Sequence, residues 1–252
     1  MGDILRLRFI DARVWRYAMN AIGKIIDEAA FRFTEDGLRL RAIDASRIVM
    51  VDFTMNRESF DEYEVNKEEV VGVNMEDLVK ILRRAVKEDQ LELETLEAGR
   101  LAVSFIGKGR RTFIIPSLET LAEELPELNI PFTVHVKMLP SVFRDVVKEL
   151  EPISDAIEFI VKKDERKIIA KASGDIVEAE IELTEESGAL IEFNAKEDAR
   201  AVYTIDYLSD ISAAAQAANE LVLELASAVP CKLEYILPQE GRLVFYVAPR
   251  VE

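Results

Sequence analysis

Arginine and lysine side chains recur at helical spacing in three segments of the chain, and such rows of cations bind phosphate groups. At 100° per residue, an apolar stripe within residues 13–25 lies opposite a polar face of Arg13, Arg16, Asn20 and Lys24. Any solvated helix can present one such face, but three of them in a chain with a formal net charge of −16 favour a binding surface. The other two faces contain Lys80, Arg83, Arg84 and Lys87, and Arg144 and Lys148.

Residue combinations that support catalysis are missing from the sequence. The only histidine, His135, lies in an alternating stretch that predicts a strand, and Cys231 is the only cysteine. No glycine-rich phosphate loop is present. The pairs Glu68-Glu69 and Glu123-Glu124 leave a metal-dependent hydrolase open as an alternative, but 48 acidic residues produce such pairs freely. We therefore predict a binding protein with no catalytic residues, no metal and no cofactor.

The elements that position the basic faces occur twice in the sequence. Val14-Trp15-Arg16 aligns with Val142-Phe143-Arg144 at an offset of 128, and Leu91-Glu92-Leu93-Glu94 aligns with Leu221-Val222-Leu223-Glu224 at an offset of 130. Two similar α+β domains are expected, each with antiparallel sheets and two helices. The predicted boundaries are an N-terminal domain over 1–116, an extended, proline-containing acidic connector over 117–130, and a C-terminal domain over 131–252.

Within each half, alternating apolar residues predict the strands, and one helix departs from the basic pattern. The expected strands include 31–34, 38–43 and 48–54, with a hairpin turn at Glu35-Asp36-Gly37, and 156–161, 168–172, 176–183 and 243–247. The fourth expected helix, 206–219, aligns with the second one but contains no lysine or arginine. Any positive surface is therefore uneven within one chain.

The chain reads as a soluble intracellular protein. No apolar run approaches the roughly 18 residues of a membrane-spanning helix, and the first six residues lack the apolar core of a signal peptide. A single cysteine cannot form an internal disulfide. We expect a cytoplasmic protein without a membrane partner.

Five short motifs, together with the duplication, resemble a DNA sliding clamp of the proliferating cell nuclear antigen family, archaeal type, over essentially the full length. These motifs are Asp44-Ala45-Ser46-Arg47-Ile48, Gly72-Val73-Asn74 before Lys80-Ile81-Leu82, Leu125-Pro126-Glu127-Leu128, Tyr207-Leu208, and Ala248-Pro249-Arg250-Val251-Glu252. The resemblance implies a six-domain ring of three protomers, with sheets outside and helices around a channel for duplex DNA. The basic faces would then meet phosphates without reading sequence, and the protein would be associated with the nucleoid, or nuclear in a eukaryote.

The resemblance also implies where protomers join. Segments 110–115 and 176–183 would pair between neighbouring subunits, although both could instead be ordinary edges of a monomer. The partner subunit would be a second copy or a paralogue, because some archaeal relatives form heterotrimers. The implied interface residues are Arg84, Arg111, Phe113, Ile115, Asp145, Ile176, Val177, Ala179 and Ile181.

A third implication is a docking site for short peptides of DNA polymerase, flap endonuclease and DNA ligase, with an ATP-driven clamp loader as a further partner. Arg47 occupies a position where many family members have histidine. Core packing is an equal alternative for Ile43 and Tyr246, and a scaffold that does not bind DNA remains an alternative for the whole chain. The implied docking residues are Ile43, Ser46, Arg47, Ile48, Leu125, Leu128, Ile130, Pro230, Tyr246, Ala248 and Pro249.

Overall fold

The computed structural model describes residues 5–119 and 125–251, which form an α+β structure of three antiparallel sheets and four α-helices. The first half contains β1 (Arg6–Phe9), α1 (Ala12–Gly23), β2 (Glu28–Thr34), β3 (Gly37–Ile43), β4 (Val49–Asn56), β5 (Glu62–Glu64), β6 (Glu69–Asn74), α2 (Met75–Leu82), β7 (Gln90–Leu96), β8 (Arg100–Ile106) and β9 (Arg110–Pro116). The second half contains β10 (Val134–Met138), α3 (Pro140–Leu150), β11 (Ala156–Lys162), β12 (Lys167–Ser173), β13 (Glu178–Thr184), β14 (Glu192–Ala195), β15 (Ala199–Thr204), α4 (Ile205–Ser212), β16 (Glu220–Leu225), β17 (Cys231–Ile236) and β18 (Arg242–Val247).

The two halves have the same order of elements, which confirms the duplicated fold. In each, a strand and a helix are followed by five strands, a second helix and three strands. Helix α2 and helix α4 have equal length and stand 130 residues apart, as the sequence offset predicts.

A single pairing joins the two halves into one continuous sheet. Strand β18, the last of the second half, pairs antiparallel with β4 over six residue pairs, from Arg242 opposite Thr54 to Val247 opposite Val49. The resulting nine-stranded sheet has the order β14-β10-β16-β17-β18-β4-β3-β2-β6. The other two sheets, β5-β1-β7-β8-β9 and β13-β12-β11-β15, end in the edge strands β9 and β13.

The helices and the connector lie on opposite faces of the nine-stranded sheet. Trp15 of α1 packs against Phe31 and Phe53, with ring centroids 6.0 and 5.4 Å apart. Because side chains alternate along a strand, Asp52 next to Phe53 points away from the helix, and the connector is bound on that side. The fold therefore has a helical face and a connector face.

All four helices belong to one layer. Helix α1 packs against α2 on one side and against α4 on the other, and α4 packs against α3. At Gly23 a Cβ atom would lie 2.9 Å from Cγ2 of Val79, so only glycine allows α1 and α2 to approach this closely. Side-chain caps start two of the helices, because Asp11 accepts from the Arg13 amide and Asn74 from the Asp77 amide.

The turn between β2 and β3 was correctly predicted from Glu35-Asp36-Gly37. Gly37 has φ +148°, and a Cβ atom there would lie 2.2 Å from the carbonyl oxygen of Met55. A side chain at this position would therefore collide with the neighbouring strand.

Three predicted elements were wrong at their ends. Helix α2 stops at Leu82, because the amides of Arg84 and Ala85 bond to carbonyls three residues back, and Asp89 accepts from the amide of Val86. Arg83, Arg84 and Lys87 therefore follow the helix, and Ala85 faces the core from the turn rather than from the helix.

The fourth helix is shorter than predicted, because its α-helical part ends at Ser212 and residues 213–216 form a 3₁₀ turn packed against α1. Strand β13 begins at Glu178, because the Gly174 amide bonds to the Val177 carbonyl and closes a turn that contains Ile176 and Val177. Neither Ile176 nor Val177 is therefore part of the edge strand.

A charged cluster fastens β9 to the rest of its sheet. The Glu92 side chain on β7 is 1% exposed and forms ion pairs with Arg6 and Arg8 on β1 and with Arg110 on β9. Burial by itself would raise the pKa of Glu92, but the hydrogen bonds from Arg110, Arg6 and Arg8 outweigh it and lower the pKa to about 2. The ionised carboxylate thus links three strands.

Replacement of Glu92 by Gln should lower the free energy of unfolding at pH 7 by about 2 kcal/mol, because three arginines lose their common partner. Because the pKa of Glu92 is depressed in the folded protein, its stabilisation is complete above about pH 4.5 and is lost as the pH falls toward about 2. Denaturant unfolding of both proteins across this range should show the difference shrinking with acid. Glu97→Gln, in the exposed turn after β7, is the control, and an equal loss in both variants would contradict this role of Glu92.

Candidate functional site

The predicted phosphate-binding residues lie on the helical layer and on the turn after α2. Arg13, Arg16 and Asn20 are half-buried on α1, and Lys24 is exposed at its end. The remaining members are Lys80 on α2, Arg83, Arg84 and Lys87 after it, and Arg144 and Lys148 on α3. The structure thus brings this set to one layer, although helix α2 itself contributes only one member.

Several of these cations also hold the layer together. The guanidinium of Arg16 donates to the Ala85 carbonyl at 3.0 Å, and that of Arg83 donates to Asn20 at 3.3 Å, so both connect α1 to the α2 region. Arg13 pairs with Asp11 at 2.8 Å, and this hydrogen bond lowers the pKa of the Asp11 carboxyl group. The positions of these side chains are therefore set by neighbouring elements.

The cations of α2, its following turn and α3 differ in their partners. Lys80 pairs with Glu76 at 2.6 Å, a hydrogen bond that raises the pKa of Lys80, and Arg144 pairs with Asp145 at 3.1 Å. In the parts of the chain that the structure describes, Lys87 and Lys148 form no ion pair. Surface pairs of this kind are weak, so all of these groups can still bind phosphates.

An ion pair between the two halves was missed by the sequence analysis. Nζ of Lys24, at the end of α1, lies 3.0 Å from Oδ1 of Asp210 on α4. Asp210 occupies the position that aligns with Lys80 in the first half. Helix α4 therefore carries a negative side chain at the position where α2 carries a lysine.

The loop at residues 44–48 is built around one buried carboxylate. Asp44 is 7% exposed and accepts hydrogen bonds from the amides of Ser46, Ile48 and Val49 at 3.1, 2.7 and 2.7 Å. Arg47 adopts a left-handed conformation with φ 57° and is exposed. The loop therefore presents Ser46 and Arg47 at the surface in a fixed shape.

On the connector face, the predicted docking residues form a row across the central strands. Tyr246 on β18 lies opposite Met50 on β4, which lies opposite Ile43 on β3. The pairing therefore places Ile43 and Tyr246 on the connector face rather than on the helical face, where the core-packing alternative would put them. Met50 was missed, although its alternation with Val49 and Val51 indicates this face.

Several of the remaining predicted docking residues lie on segments next to this row. The Ile48 carbonyl accepts from the Ala248 amide at 2.9 Å, and Pro230 precedes Cys231, which pairs with Val247. Pro249 lines a cavity of about 410 Å³ with Val202, Ala228 and Val251, and the sequence analysis did not predict this cavity. Leu125 and Ile130 are half-buried, and Leu128 is exposed.

Two arginines bind the connector to the sheet, and neither was predicted. Arg41 donates to the carbonyls of Leu125 and Pro126 at 3.1 and 3.2 Å and pairs with Asp52 and Glu127. Arg39 pairs with the same two carboxylates. Hydrogen bonds from Arg41 and Arg39 lower the pKa of the Glu127 carboxyl group. These contacts fix the connector backbone on the face that carries Ile43, Met50 and Tyr246.

The predicted interface residues lie on and around the edge strands β9 and β13. Phe113 and Ile115 on β9, and Ala179 and Ile181 on β13, are at least partly buried against their own sheets. Arg111 pairs with the buried Asp89, and the Arg84 guanidinium lies 5.3 Å from the centre of the Phe113 ring. Ile176 is 96% exposed in the turn before β13.

The metal-dependent alternative gains no support from the geometry. Residues 5–119 and 125–251 contain no group of three or more His, Cys, Asp or Glu side chains placed to hold a metal ion. Glu68 pairs with Arg32 at 2.6 Å, whereas Glu123-Glu124 lies outside the described residues. Within the same ranges, no helix has the length and apolar character that crossing a bilayer requires.

Comparison with known proteins gives a consistent result over nearly the whole chain. Residues 4–110 and 125–250 match the N-terminal and C-terminal domains of proliferating cell nuclear antigen. The chain is 41% identical over 248 residues to the DNA polymerase sliding clamp 3 of Aeropyrum pernix, covering 98% of each chain. It is 39% identical over 246 residues to the DNA polymerase sliding clamp of Pyrococcus furiosus, covering 97% of each.

Solved structures agree with the sequence matches. A chain of a PCNA2–PCNA3 complex from Sulfolobus tokodaii has a TM-score of 0.92 and 37% identity, covering 98% of this chain and 100% of the other. A PCNA from Thermococcus kodakaraensis also has a TM-score of 0.92, with 29% identity and the same coverage.

Replacement of Arg41 by Gln should release the connector from the sheet, because its backbone carbonyls lose their charged donor. Limited proteolysis should cut within residues 125–130 at least about fivefold faster, because cleavage requires a detached segment, whereas cuts within β3 and β4 should not increase. Arg32→Gln, which breaks the pair between Arg32 on β2 and Glu68 just before β6, is the matched control. Unchanged cleavage of the connector in the Arg41 variant would show that other contacts hold it.

Proposed function

The chain belongs to the proliferating cell nuclear antigen family of DNA polymerase sliding clamps, and we propose that it encircles duplex DNA as part of a ring and tethers replication and repair enzymes to it. The proposed ring has six domains from three protomers. We keep the boundaries 1–116, 117–130 and 131–252 as the proposed domains and connector. In this role the protein binds its partners and does not act as an enzyme.

The single observation that carries the proposal is that the two edge strands correspond to the two strands that join the halves. Strand β18, the last strand of the second half, corresponds to β9 in the first half, and β4 of the first half corresponds to β13 in the second half. Strands β18 and β4 pair with each other within the chain, whereas β9 and β13 are edge strands. If β9 of one protomer pairs with β13 of the next, the junction between protomers repeats the junction between domains. Repeating one junction head to tail produces a closed ring when the rotation per domain closes.

Pairing at these edges also satisfies their backbone groups. An exposed edge strand offers unpaired N–H and C=O groups and invites aggregation. Phe113 and Ile115 would meet Ala179 and Ile181 of the neighbour, and Arg84 and Arg111 would approach Asp145. Whether the neighbour is a second copy or a paralogue, as in a heterotrimer, depends on the side chains that it brings to these edges.

The helical layer would face the DNA. Its cations include Arg13, Arg16, Lys24 and Lys80, the turn residues Arg83, Arg84 and Lys87, and Arg144 and Lys148. Most of them lie on the surface with weak or no ion pairs, so they can exchange phosphate partners as the duplex moves. With a net charge of −16, the rest of the surface discourages DNA from binding elsewhere.

The connector face would bind clients. The row of Ile43, Met50 and Tyr246, with Leu125 and Leu128 beside it, offers an apolar site under a connector fixed by Arg41. A short peptide with aliphatic and aromatic anchors suits such a site, as expected for polymerase, flap endonuclease and ligase tails. A clamp loader, which opens the ring with ATP, is a further proposed partner.

Topological retention tests the clamp function. After loading by its cognate loader, the protein should stay on nicked circular DNA through gel filtration at about 0.3 M salt, because the ring cannot leave without opening. Linearising the same DNA should release it, since a ring slides off the ends. Comparable retention on both forms, or on neither, would contradict the proposal and favour a scaffold that does not encircle DNA.

A further inference from the structure

The fourth helix reverses the charge of its counterpart in the first half. Helix α4 and the 3₁₀ turn after it, residues 205–216, contain Asp206 and Asp210 but no lysine or arginine. The aligned positions of the first half hold Glu76 and Lys80. The change at 210 thus places a carboxylate where the duplicated helix presents a cation.

The Asp210 carboxylate forms an ion pair with a lysine of the other half. Its Oδ1 lies 3.0 Å from Nζ of Lys24, and the two side chains are 39% and 43% exposed. Both groups lie on the solvent side of the helical layer, where α1 meets α4. Lys24 is therefore engaged across the domain junction, at the place where a channel-facing cation would otherwise be free.

The ion pair between Lys24 and Asp210 is not needed to hold the two domains together. The domains already share six residue pairs of the β4–β18 ladder and the packing of α1 against α4. An ion pair between two side chains this exposed adds little to such a junction, because water screens it. Its effect on the charge presented to a polyanion is larger, since one of the cations proposed to meet phosphates is neutralised locally.

We propose that Asp210 limits the affinity of the channel for DNA by competing with the phosphates for Lys24. The inference rests on the proposed function and deepens it. Lys24 would then contribute less to holding the duplex than its exposed position alone suggests. Helix α4 would contribute no attraction, so one sector of the channel lining would leave the duplex free.

The test compares two conservative variants of the same helix. Asp210→Asn and Asp206→Asn each remove one exposed carboxylate from α4, but only the first releases Lys24, because Asp206 forms no ion pair within the described residues. The measurement is fluorescence anisotropy of a labelled 30-base-pair duplex with the full-length assembled protein at several salt concentrations. Thermal melting of each variant reports any change in the domain junction separately.

We expect Asp210→Asn to tighten DNA binding about two- to fivefold at low salt and to steepen the logarithmic salt dependence by about 1 for each released lysine that meets a phosphate. Asp206→Asn should have a clearly smaller effect. Lys24→Gln should weaken binding in both backgrounds, and it should cost more affinity in the Asp210→Asn background, where it removes the gain.

Three results would overturn the inference. These are equal effects of the two aspartate variants, an equal cost of Lys24→Gln in both backgrounds, or a lowered melting temperature of Asp210→Asn with unchanged DNA binding. Each of them leaves the clamp function intact, because the parent protein still binds DNA. Absence of salt-dependent DNA binding in the parent and in every variant would instead overturn the proposed function together with the inference.

Discussion

The pairing of β18 with β4 is the interaction on which the rest of the structure depends. It converts two sheets into one of nine strands, and it fixes the second half against the first along six residue pairs. With the sheet continuous, α1 can pack against α4, and the helices of both halves form one layer. The same pairing brings Tyr246 opposite Met50, which lies opposite Ile43, so this row of three residues exists only because the halves are joined. The helical face and the connector face thus depend on the same pairing.

The electrostatics follow from this arrangement. Acidic residues outnumber basic ones by 48 to 32, yet lysine and arginine recur along the helical layer. Many of these cations are held by a nearby acid or carbonyl, as Arg13 is by Asp11 and Arg16 by Ala85, and the contacts are solvated and weak. Such contacts leave these cations able to exchange partners. Buried charge serves a different purpose at Glu92, where three arginines lock strand β9 into its sheet.

Local periodicity predicted much of this fold. The apolar stripes of α1 and α3 gave both helices, because the 3.6-residue repeat depends only on neighbours in sequence, and the duplication gave the order of elements in the second half. The end of α2 was missed because it depends on turn hydrogen bonds and on the Asp89 carboxylate. The pairs Lys24–Asp210 and Arg41–Glu127 needed the three-dimensional structure, because their partners are distant in sequence and no periodic pattern links them.

Cryo-electron microscopy of the protein assembled on a duplex, with any subunits that copurify with it, tests the central claim most directly. A closed ring is predicted in which β9 of each protomer pairs with β13 of the next, as β18 pairs with β4 inside the chain. The duplex should pass through the hole and face all four helices. Free β9 and β13 edges, or a duplex bound against the connector face, would contradict the account.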